Sequence, residues 1–161
     1  MESDDIRDQL RQIERAEASP YVDQRRSPWW FAPGFAAWFG AMAAVQSFHW
    51  SGLSSSSMWT ALLMLAVVLP LAALLGAYMS WHQSYHGAWP RTFGPKPPEI
   101  RRVYWYYSIG FLLGAAGLVA LAFVVPWWVT GLATTAVAYV GLLAYERVYE
   151  RAADAVKARL A

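Results

Sequence analysis

The chain has 161 residues, 57% of them hydrophobic and 16% aromatic, with 13 Lys and Arg against 11 Asp and Glu and no cysteine. That length holds one small domain, and the lack of cysteine excludes disulfides, thiolate metal sites and a cysteine nucleophile. Every charge falls within residues 1–27, 81–102 and 146–161, and four uncharged apolar stretches lie between.

Residues 3–18, SDDIRDQLRQIERAEA, predict a short amphipathic head helix: Ser3 caps it, Asp4 and Asp5 suit its positive first turn, and Ile6, Leu10 and Ile13 recur on one face. Pro20 is expected to end it. A linker, Tyr21 to Ser27, delivers Pro28-Trp29-Trp30 to a membrane interface, where proline is tolerated in a first helical turn and tryptophan favours the headgroup level.

The apolar stretches run from about Trp29 to Ser47, Met58 to Ser80, Val103 to Val124 and Trp127 to Tyr145. Each comes near the ~20 residues that cross a hydrocarbon core of roughly 30 Å. The pattern predicts an all-α integral membrane four-helix bundle: head helix and linker over 1–27, a four-span domain over 28–145, and a stalk over 146–161 that extends span four. Pro33 and Pro70 are read as kinks inside spans. Eight of the ten Trp residues fall at span ends, leaving Trp38 in mid-span and Trp89 in the loop. That loop, 81–102, carries Pro90, Pro95, Pro97 and Pro98 and is expected to be irregular.

All 13 cations flank the spans on one side: Arg7, Arg11, Arg15, Arg25 and Arg26 before span one, Arg91, Lys96, Arg101 and Arg102 between spans two and three, Arg147, Arg151, Lys157 and Arg159 after span four. By the positive-inside rule both termini and the 81–102 loop are cytoplasmic, in a bacterial inner membrane. Arg25, Arg26, Arg91, Lys96, Arg101, Arg102 and Arg147 lie near that surface and are expected to contact anionic lipid. Ala41-Met42-Ala43 and Arg25-Arg26 mimic a cleavage site and a twin-arginine signal, but the long, acid-rich residues 1–27 favour an anchored chain.

Small residues recur at helix-contact spacing in Ala36-x-x-x-Gly40-x-x-x-Ala44 and in Gly110-x-x-x-Gly114 with Gly117. They are read as packing within the bundle, with a homo-oligomer through span three as the alternative. His82 and His86 are spaced i, i+4 as a partial metal pair, but two ligands make no site, and no metal or other cofactor is assigned. Arg7, Arg11 and Arg15 form a basic row and Glu146, Glu150 and Asp154 an acidic row of equal spacing. Either both rows are solvated, with Arg147 to Glu150 and Arg151 to Asp154 neutralised locally at i, i+3, or antiparallel pairing joins Arg15 to Glu146, Arg11 to Glu150 and Arg7 to Asp154, with Ile6, Leu10 and Ile13 covering Val148, Ala152 and Val156.

The head with its Ile13-Glu14 pair, Pro28-Trp29-Trp30, the His-Gly-x-Trp-Pro-Arg loop from His86 to Arg91 and a basic lead into span three resemble small bacterial four-helix integral membrane proteins, some encoded beside helix-turn-helix regulators. The resemblance implies an accessory or regulatory role and brings no catalytic residues. The expectation is a non-enzymatic inner-membrane protein with a cytoplasmic face for a protein partner. The alternatives are a small transporter or channel subunit acting as an oligomer, and a haem or metal-binding anchor. Interleaved acids and cations argue against nucleic acid.

Overall fold

A computed structural model of the chain describes residues 2–23, 26–51, 57–86 and 96–160, and the regular structure within them is all helix, joined by turns and short irregular links. Five helices follow in order: α1 (Glu2–Val22), α2 (Phe31–Trp50), α3 (Ser57–His86), α4 (Pro98–Ala122) and α5 (Trp127–Leu160).

Among the described residues three segments are long and apolar enough to cross a membrane: Ala61–Ser84 within α3, Pro98–Ala122 and Trp127–Leu160. Helix α2 also carries none of the four charged residue types over its 20 residues, but Pro33, Trp38, Gln46 and its glycines lower its apolarity. The long helix expected from span four into the stalk is continuous, 34 residues in all.

Three boundaries differ from the sequence reading. Helix α1 does not stop at Pro20 but passes through it to Val22, and Asp23 N–H still bonds the Ser19 carbonyl at 3.0 Å. Proline forfeits one hydrogen bond to the residue four back, and that carbonyl can turn to water on an exposed helix. Helix α2 starts at Phe31, so Pro33 sits in its first turn, where the missing N–H has no intrahelical partner to lose. The expected loop is shorter, because α3 continues to His86 and α4 begins at Pro98, an N1 proline whose turn carries Glu99. Arg101 and Arg102 therefore lie on α4.

The helices pack as an open row, α3 on α2, α2 on α5 and α5 on α4, with α1 laid against α5 at one end. A closed bundle would also bring α3 against α4, and these two form no substantial contact. The tightest seam joins α2 to α5. A Cβ on Gly40 would sit 2.7 Å from the Gly131 carbonyl oxygen and collide with Thr135 Oγ1, and one on Gly131 would meet Ala44 Cβ at 2.9 Å. Ala36, Gly40 and Ser47 are buried on this face opposite Thr130, Gly131 and Thr134. The backbones approach this closely because no side chain stands between them.

Between α2 and α3, Trp38 Nε1 donates to the Val67 carbonyl at 2.9 Å, giving the mid-span indole a partner. Pro70 lies inside α3 one turn beyond Val67 and lacks the N–H that would bond the Ala66 carbonyl, so the helix is short of one internal hydrogen bond next to this contact. At the far end of the row, Trp50 stacks on Phe123 with centroids 5.4 Å apart, and Phe48 meets Trp127 edge-on at 5.9 Å.

Candidate functional site

The charged side chains gather where α1, α4 and α5 converge. A core forms there from Ala18, Tyr21 and Val22 of α1, Ile100 and Val103 of α4, and Tyr149, Ala153 and Val156 of α5, with Ile100 and Val156 wholly buried. Helix α1 contributes its last turns, where Ala18, Tyr21 and Val22, spaced i, i+3 and i+4, share one buried face. The Tyr149 hydroxyl donates to the Tyr21 carbonyl at 2.9 Å. That carbonyl lies in the last turn of α1, where no intrahelical donor follows.

Ion pairs ring this core. Arg26 grips Glu150 with two donors, Nε to Oε1 at 2.5 Å and Nη2 to Oε2 at 3.1 Å. Arg159 bonds Glu14 of α1 and, at 3.1 Å, Glu99 of α4, so one guanidinium ties three helices. Lys157 faces Asp23 at 3.7 Å, and Arg15 Nε donates 2.7 Å to the Leu160 carbonyl at the negative end of α5. The Arg26 guanidinium is held above its ordinary range by the hydrogen bond to Glu150 and that carboxylate's charge, and Arg159 chiefly by its hydrogen bond to Glu14.

The direction of α1 against α5 is antiparallel, while the register and the pairing differ from the charge rows. Arg15 lies beside Leu160 instead of Glu146, Glu150 takes Arg26, and Asp154 is exposed without an ion pair among the described residues. The expected register fails for a physical reason. With Arg15 opposite Glu146, a helix running on to Val22 would push Asp23 alongside the apolar part of α5. The core is built by Ala18, Tyr21 and Val22, so Val156 is covered by these residues. Ile6, Leu10 and Ile13 stand 53%, 61% and 55% exposed on turns that run past the end of α5.

Other expected residues separate in the same way. Ala36, Gly40 and Ala44 enter the α2–α5 seam, whereas a Cβ on Gly110, Gly114 or Gly117 would meet nothing within 4 Å, so that stripe does not pack against the described residues. His82 is buried, its ring edge-on to Tyr78 at 6.1 Å, and no group of three metal-ligating residues occurs among the described residues. Arg25 and Arg91, and the side chains of Arg7, Arg11 and His86, lie outside the described residues. Arg147 is exposed. Lys96 Nζ lies 4.4 Å over the Tyr104 ring, and Lys96, Arg101 and Arg102 line one cavity.

The sequence reading did not single out Tyr21, Ile100, Tyr149, Glu99 or Arg159 as a unit. One signal was present: Tyr145 and Tyr149 at i, i+4 face Tyr104 and Tyr107, with centroids of 5.0 Å for Tyr107 to Tyr145 and 6.2 Å for Tyr104 to Tyr149. No protein-family model, curated protein or solved structure matches the chain. Among the described residues the fold is all-helical, with three helices long and apolar enough to span a membrane.

Proposed function

We propose that this is a non-enzymatic four-span protein of a bacterial cytoplasmic membrane whose head helix, docked on the stalk, presents an interaction or regulatory face to the cytoplasm. Membership of α2 among the spans is supported by its lack of charge and its place between α3 and α5, where its small and polar residues face protein and are spared lipid. The split of cations supports termini and loop on the inner side.

The observation that carries the interaction reading is the exposed face of Ile6, Leu10 and Ile13 on a helix whose other end is anchored by a packed core. An ordered apolar stripe held away from its own chain is a docking element for another protein. Photo-crosslinking from position 10 in intact membranes should yield a discrete adduct, reduced by Ile6→Asp or Ile13→Asp and absent from position 17. The same absence at positions 6, 10 and 13 would overturn the reading.

The open row and the unpacked Gly110, Gly114 and Gly117 stripe support a second reading, a small transporter or channel subunit completed by further copies. Flux across proteoliposomes that tracks oligomer formation would favour it.

A further inference from the structure

Four of the described cations at the charged end already have occupations: Arg26, Lys157 and Arg159 hold carboxylates, and Arg15 bonds a carbonyl. Arg101 and Arg102 hold no hydrogen bond or ion pair among the described residues, and both are exposed. With Lys96 they line a cavity of about 370 Å³ completed by Tyr104, Trp105, Tyr106 and Ser108. No carboxylate lines it; the nearby Glu99 spends one oxygen on Arg159. The cavity therefore concentrates three positive charges beside phenolic and hydroxyl donors, which is a phosphate-binding chemistry.

One face of α4 continues from the cavity toward the opposite end of the helix. Trp105, Ile109, Leu112 and Val119 recur on it at helical spacing, and all are exposed, Leu112 at 67%. A basic recess at the head of an uncovered apolar stripe fits a molecule with an anionic head and a hydrocarbon tail.

We propose that this recess is a binding site for an anionic phospholipid, its phosphate held by Arg101, Arg102 and Lys96 and its acyl chain lying along α4. Tyr106 and Ser108 supply hydroxyl donors at the rim, and the Trp105 indole marks the interface. A second copy of the chain is the poorer occupant. Two copies share one orientation in a membrane, so a symmetric contact through this face would oppose the two cationic recesses. Free phosphate would leave the apolar stripe unused.

The test is lipid retention by the full chain, purified in mild detergent after reconstitution in equimolar phosphatidylglycerol and phosphatidylcholine and read by native mass spectrometry. A surface cation favours anionic lipid by about fivefold, so the wild type should retain phosphatidylglycerol over phosphatidylcholine by at least about tenfold. Lys96→Gln/Arg101→Gln/Arg102→Gln should abolish the preference. Arg151→Gln/Lys157→Gln, both exposed and outside the cavity, should preserve it. Arg101→Lys/Arg102→Lys should keep most of it, which separates loss of charge from loss of fold. Equal loss in the control pair, displacement by millimolar inorganic phosphate alone, or a change in protomer number without a change in lipid would each overturn the proposal.

Discussion

At the residue scale, identical residue types play opposite parts according to what stands in front of them. Gly40 is fixed by the Gly131 carbonyl and the Thr135 hydroxyl, while Gly110, Gly114 and Gly117 face open space. Gly40→Ala should therefore destabilise the protein by about 1–3 kcal/mol through overpacking, and Gly114→Ala should stay within about 0.5 kcal/mol or gain slightly from helix propensity. Thermal unfolding in detergent, followed by circular dichroism, would show the contrast; equal effects would mean that α2 and α5 are not in such close contact. Spacing in the sequence identified both stripes as helix contacts. It could not say which was used, because a small-xxx-small pattern records only that an approach is permitted. Trp38 adds a second case. Trp38→Phe removes the donor to the Val67 carbonyl and should cost about 1–2 kcal/mol in the same assay.

At the scale of elements, the docking of α1 depends on Ala18, Tyr21 and Val22 more than on its charges. Ala18 is 2% exposed against α4 and α5, so Ala18→Glu should detach the head and expose residues 2–22 to protease, whereas molar salt should leave the wild type protected. Protection lost in salt and kept in Ala18→Glu would reverse the assignment. The pH dependence follows from the guanidinium shifts. Arg26 and Arg159 are raised above the ordinary arginine range, so their pairs contribute stability that is fully present below that range and lost only above it. Protease protection should accordingly be unchanged between neutral pH and about pH 10. The sequence disclosed that two charged helices run antiparallel, because direction follows from where each leaves the apolar stretch. Register was hidden because the charge rows suggested a pairing, while the real register is set by short-range apolar contacts on a helix that continues through Pro20. Glu14 and Asp23 pairing with Arg159 and Lys157 gives the reverse polarity from the rows in the sequence.

At the scale of the whole molecule, charge segregation made the apolar helices legible, since uncharged stretches of this length have few other uses. The arrangement of helices around one another was not legible: every span carries apolar residues on all sides, so hydropathy does not distinguish a flank facing protein from one facing lipid. The result is a row in which α3 and α4 are the two edges, separated by α2 and α5. The absence of cysteine allows this order to be tested without background. Cysteines replacing Trp50 and Phe123, whose rings stack 5.4 Å apart, should be joined within one chain by a short bismaleimide. A pair replacing Leu69 on α3 and Leu112 on α4, both exposed, should not be joined within a chain. If copies associate edge to edge, the second pair will instead give a dimer on denaturing gels, and mixing the two single-cysteine chains will give the same band. An intrachain bridge between positions 69 and 112 would mean that the row closes into the four-helix bundle expected from the sequence, with α3 and α4 as neighbours and no free edges for a second copy.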